Sequence, residues 1–131
     1  MTAGVSILYP ENQVDGIQER AREIGRLLAH TDEYKALKRA NEQLAENREA
    51  VSVLNRLSTL EGELSTSLRA GQEPPVEQQH EYEGAVERLQ QMTAYQALVA
   101  AQSNFDRLMV RINEDIAKGI EAGEQSRIIL P

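Results

Sequence analysis

The stretch from Tyr95 to Ile120, YQALVAAQSNFDRLMVRINEDIAKGI, sets Leu98, Gln102, Phe105, Met109, Ile112, Ile116 and Ile120 three or four residues apart, with no proline among them. Side chains at that spacing share one face of an α-helix, so the segment is expected to form one long amphipathic helix. At 1.5 Å per residue it would run roughly 40 Å, against a radius of gyration on the order of 14 Å for a compact chain of this size. A stripe that long calls for an equally long partner surface. Leaving even three of its large side chains in water would forfeit about 5–9 kcal/mol, comparable with the stability of a whole domain. Leu108, beside Phe105, Met109 and Ile112, widens the patch beyond a two-position seam. Gln102 is its polar member, a residue type that can set register between packed helices. Leu98, Gln102, Phe105, Leu108, Met109, Ile112 and Ile116 are therefore the candidate interface. Core packing and self-association are preferred over a partner protein, because soluble proteins rarely expose contiguous apolar patches.

Working back from this helix, Thr93 is a suitable cap for it, and Tyr82, Val86, Leu89 and Met92 mark a shorter helix that starts near Pro75 or Val76. Gly71, Pro74 and Pro75 are the strongest punctuation in the chain, because the prolines remove two amide donors and the glycine permits a left-handed helix end. Before that turn, Leu54, Leu57, Leu60, Leu64 and Leu68 share the face of another long helix, for which Asn47 is either the N-cap or only a bend. A shorter helix from about Glu33 to Ala45 points Tyr34, Leu37, Ala40 or Asn41, and Leu44 inward. The first helix, with Val14, Ile17, Ala21, Ile24 and Leu28 on one face, reaches a boundary at His30, Thr31 and Asp32, where Thr31 or Asp32 caps the next. Residues 1–13, with the β-prone segment Val5 to Pro10, read as an N-terminal tail or short arm, and residues 122–131 as a C-terminal tail. Connections this short favour antiparallel neighbours. The expected fold is all-α: an antiparallel bundle of four to five helices, with the two longest as its spine. The first two helices are too short to cover the last one, so a dimer is expected.

A chain of 131 residues fits one domain and can build a helical core unaided. It contains no cysteine, which removes disulfides, thiolate chemistry and cysteine-held zinc or iron–sulfur clusters. The net charge of −7 opposes direct binding of RNA or DNA, whose affinity comes from displacing counterions with basic side chains. No run reaches 18 consecutive apolar residues, and Met1 to Asn12 lacks the basic start and apolar core of an export signal, so a soluble cytoplasmic protein is expected. Aromatics are few, Phe105 and four tyrosines, which leaves a core of Leu, Ile, Val and Ala.

No constellation announces a reaction. Glu77 and His80 form a Glu-x-x-His pair of the kind that ligates di-iron centres in bundles, but the motif occurs once and His80 lies far from the arc through Tyr82, Val86 and Leu89. A solvent-facing histidine near a helix start is the better account. His30, in the last turn of the first helix, suits a C-terminal capping role, where the backbone dipole favours a cation. Glu42, Glu46, Glu61, Glu63, Glu114 and Asp115 fall on polar faces, with Glu114–Lys118 and Arg111–Asp115 at ordinary surface-pair spacing. Catalysis would require a pocket that perturbs such carboxylates. Neither a phosphate-binding glycine loop nor a nucleophile elbow is present. No metal, cofactor or catalytic residue is assigned.

Several fragments, in order, resemble the YlbF/YmcA family, which includes YheA-like proteins. They are Leu27, Leu28 and Thr31 to Lys35 with Leu37 and Lys38; Ala45 to Ala50; Ala70 to Glu73; and Leu98, Val99, Ala101 and Gln102. The similarity spans roughly residues 14–121, and it departs from the family at Gln102, where members often carry glutamate. The resemblance implies a small helical bacterial protein acting as a non-enzymatic regulator. Its implied partners are related family members or a ribonuclease complex through which messenger-RNA processing is modulated. The cysteine-held clusters of some such complexes do not carry over to a chain without cysteine. Two other classes remain open: a carboxylate/histidine metal-binding bundle or hydrolase built on Glu77 and His80, and a structural coiled-coil component.

Overall fold

A computed structural model describes residues 10–129. Those residues form five helices: α1 (Pro10–Leu28), α2 (Asp32–Glu46), α3 (Arg48–Arg69), α4 (Val76–Gln90) and α5 (Thr93–Ile129). No strand occurs among the described residues, and the all-α expectation holds. The β-prone Val5 to Tyr9 lies outside the described range.

The punctuation works largely through the atoms the sequence suggested. The Thr31 hydroxyl donates to the Leu28 carbonyl at 2.7 Å and accepts from the Tyr34 amide at 3.1 Å, closing α1 and capping α2 together. Asn47 is a true break: its backbone is extended at φ −84 and ψ 106, its N–H donates to the Leu44 carbonyl, and its side chain accepts from the Ala50 amide at 3.0 Å. A single residue therefore ends one helix and caps the next. Gly71 adopts φ 73, the left-handed conformation that ends α3, and residues 72–75 lead through both prolines into α4.

Four expectations need correction. Thr93 is the first residue of α5 and not its cap, and the first helical bond runs from the Gln96 amide to the Met92 carbonyl at 3.0 Å. Residues 122–129, assigned to a tail, continue α5, and Pro10 to Gln13 already belong to α1. Glycine in a helix costs about 1 kcal/mol, so Gly119 and Gly123 weaken α5 without breaking it. Leu68, assigned to the inner face of α3, is exposed, because α4 begins only at Val76 and nothing covers the last turn of α3.

The helices pack in antiparallel pairs, α2 with α5 and α3 with α4. Leu37, Ala40 and Ala101 form one core, with Leu98 and Phe105 against it. Val53, Leu57 and Leu89 form another, with Leu54, Tyr82, Ala85, Val86, Met92 and Tyr95 packed around them. The two longest helices, α3 and α5, do not pack on each other to any extent; each takes a shorter partner. The register is nevertheless continuous across both pairs. Contacts run from Glu33–Arg111 through Glu49–Arg88 and Arg56–Glu81 to Glu63–Gln78, so similar lengths are traversed forward on one arm and backward on the other. The Asn47 break faces the break at Gln91 and Met92. The molecule is thus one long helical hairpin, closed at residues 70–75 and open at the end where α1 and the distal half of α5 emerge.

Candidate interaction surface

At the open end α5 outruns its cover. Its 37 residues extend about 55 Å, and α2, with 15 residues, covers only the first part. Leu98 and Phe105 are spent on the chain's own core, where Phe105 meets Tyr34 edge-on with ring centres 5.8 Å apart. Leu108, Met109 and Ile112 are half-buried. Ile116 is 50% exposed and Ile120 67%. Gln102 faces solvent and its amide donates to Asp106 of the same helix at 2.9 Å, while the neighbouring Ala101 lies in the buried seam. The candidate stripe is therefore divided, with an inner half closed by α2 and an outer half open.

The structure adds a second open face, on α1. α1 packs against no other helix to any extent. Ile17 is 68% exposed and Val14 47%, and only Ile24 and Leu28, near the joint with α2, are half-buried. The spacing of this stripe was legible from the sequence; what no periodicity reveals is that its own chain leaves it bare. The whole chain exposes 10424 Å², whereas a compact monomer of 14.6 kDa would expose about 6,900 Å².

Polar residues border the packed faces of the hairpin. Arg56 on α3 donates from two nitrogens to both carboxylate oxygens of Glu81 on α4, one of these bonds at 2.7 Å. That bonding holds the Glu81 carboxyl below its ordinary range and raises the Arg56 guanidinium. The Tyr82 hydroxyl donates to Glu61 at 3.2 Å, and the adjacent carboxylate pushes the phenol above its usual value. Arg88 reaches Glu49 at 3.4 Å. Arg111, spaced to pair with Asp115, reaches instead across to Glu33 on α2 at 3.8 Å, the link nearest the open end.

His80 is exposed on α4 beside an open groove lined by Tyr82, Glu83, Gly84, Val86 and Glu87. His30 is exposed too, in the turn after α1, its N–H donating to the Leu27 carbonyl. Among the described residues no three His, Asp or Glu side chains gather closely enough to hold a metal ion. None of the described helices is long and apolar enough to cross a membrane. What this arrangement offers chemically is apolar helix surface bordered by charge.

No curated protein matches the sequence. The family model described as "Control of competence regulator ComK, YlbF/YmcA" matches residues 17–121, from the middle of α1 to the outer half of α5. With most of its length matched, through the open end of the hairpin as well as the closed one, this chain belongs to the YlbF/YmcA family of regulators.

Proposed function

We propose that the protein is a non-enzymatic regulatory adaptor of the cytoplasm that works as a homodimer and presents helix faces to partner proteins. Those partners are related family members or a ribonuclease complex, through which RNA processing or developmental regulation is modulated. The observation that carries this reading is the apolar outer half of α5, continuous with a core-forming stripe yet left in water by its own chain. Apolar surface of that kind in a soluble protein marks a contact site. The net charge of −7 suits an adaptor that touches proteins in preference to one that grips RNA.

Sedimentation equilibrium tests the dimer. The expected mass is twice 14.6 kDa at micromolar concentration, and Ile116→Glu should weaken self-association at least tenfold while leaving helicity intact. A wild-type chain that stays monomeric up to about 100 µM, a concentration at which even a weak specific dimer forms, would overturn the homodimer. Affinity capture from native cells with wild-type and Ile116→Glu bait then tests the partner class. A ribonuclease or a family relative lost with the variant supports the adaptor role, and capture of the chain alone favours a structural component.

A further inference from the structure

We propose that α1 is a conditional helix. In the free chain the segment from Val14 to Glu23 fluctuates between helix and coil, and its apolar stripe is assembled only while the segment is helical. Most of the stability of a helix in a folded protein comes from packing its apolar face, so a helix that packs on nothing must stand on local preference alone. α1 is in that position. It lies against no other helix to any extent, and every residue from Val14 to Glu23 is exposed. By contrast α2, shorter at 15 residues, buries Leu37, Ala40 and Leu44.

Local preference does not make up the difference. Isolated helices of fewer than about 12–15 residues are marginal in water even when rich in alanine. The 19 residues of α1 include one alanine and two glycines, Gly16 and Gly25. Each glycine lowers the odds of helix over coil about fivefold relative to alanine, because its backbone has the most freedom to lose. Nothing lies within 4 Å of a methyl group added at either position, so neither glycine makes room for a neighbour. Charge pairing adds no net support. Asp15–Glu19, Glu19–Glu23 and Arg22–Arg26 set like charges four residues apart, against the opposite charges of Glu19–Arg22, Arg20–Glu23 and Glu23–Arg26 at three.

The C-terminal end of α1 is different. Ile24 and Leu28 are half-buried. The Ala29, His30 and Thr31 amides are held on the carbonyls of Gly25, Leu27 and Leu28, and the Thr31 hydroxyl adds a second bond to Leu28. The helix is therefore nucleated at its joint with α2 and frays toward Val14. The consequence is a switchable surface. As a helix the segment sets Val14, Ile17, Ala21 and Ile24 on one face; as coil it disperses them, which limits how long a stripe with Ile17 68% exposed stands in water. Any contact made through this face is weakened by the fraction of time the segment is coil, so Gly16 and Gly25 tune its strength.

Amide hydrogen exchange on the full chain, diluted until it sediments as a monomer, tests the proposal. Amides from Val14 to Glu23 should exchange within about tenfold of the rate of unstructured peptide, slowing toward Leu28, while those around the buried Leu60 exchange more than about a hundredfold slower. Gly16→Ala combined with Gly25→Ala should slow exchange in α1 several-fold. Gly62→Ala, also at an open helical position but on the packed α3, should leave α1 unchanged. The same measurement on Ile116→Glu separates the stability of α1 itself from any gained on self-association. Exchange in monomeric α1 as slow as in α2 would overturn the proposal, and so would a double alanine variant that exchanges no slower than the wild type.

Discussion

Among the described residues Leu60 is the one large side chain fully shielded from solvent, 0% exposed in the middle of α3. Its burial makes Leu60→Ala the most damaging truncation expected in the hairpin, about 2–5 kcal/mol by urea unfolding, with the spread set by how far its surroundings can collapse into the gap. Gly71→Ala should cost about 1–2 kcal/mol in the same measurement. Nothing lies within 4 Å of the added methyl, so that cost is purely the strain of an L-residue at φ 73. Leu60 and Gly71 were legible because spacing alone marks the one and two nearby prolines the other. Gln102 faces solvent for a physical reason: at 3.6 residues per turn either position 101 or 102 can sit between Leu98 and Phe105 on a stripe. Ala101 wins because its small side chain lets α2 come close.

Between α3 and α4 the polar bridges make hairpin stability sensitive to pH. Glu81 titrates below its ordinary value when folded, so its contribution is present above the normal glutamate range, about 4.3, and is lost as pH falls through the depressed value. The urea midpoint should therefore decline in acid, and Glu81→Gln should flatten that decline. Tyr82 has the opposite sign. Its phenol is raised when folded, so the contribution of its bond to Glu61 is intact below about 10 and fades as pH climbs past the folded value, and Tyr82→Phe should remove this alkaline limb. At the facing breaks, Asn47→Ala deletes the acceptor that caps α3 and should cost about 1 kcal/mol, read as a lower thermal midpoint. The helices themselves were foreseeable from caps, prolines and apolar spacing. Their pairing was not, because every apolar face could in principle meet every other, and only the run of contacts from Glu33–Arg111 to Glu63–Gln78 shows two arms in one register.

For the molecule as a whole, surface left in water predicts linked folding and assembly. If the apolar open end is buried only between copies, the thermal midpoint should rise with protein concentration, because mass action favours the state with fewer particles, and Ile116→Glu should abolish that dependence. A concentration-independent wild-type midpoint would contradict obligate pairing. The sequence by itself determined that the chain is helical, where three of the five described helices end, and that α5 is longer than any partner in its own chain, since these follow from local periodicity and backbone chemistry; whether Asn47 breaks the chain or only bends it stayed open. Only the tertiary structure decided which half of the α5 stripe is spent internally and that α1 is left bare. Coverage depends on which helices come to lie against one another, and the apolar spacing of a helix is the same whether its own chain covers that face or leaves it in water.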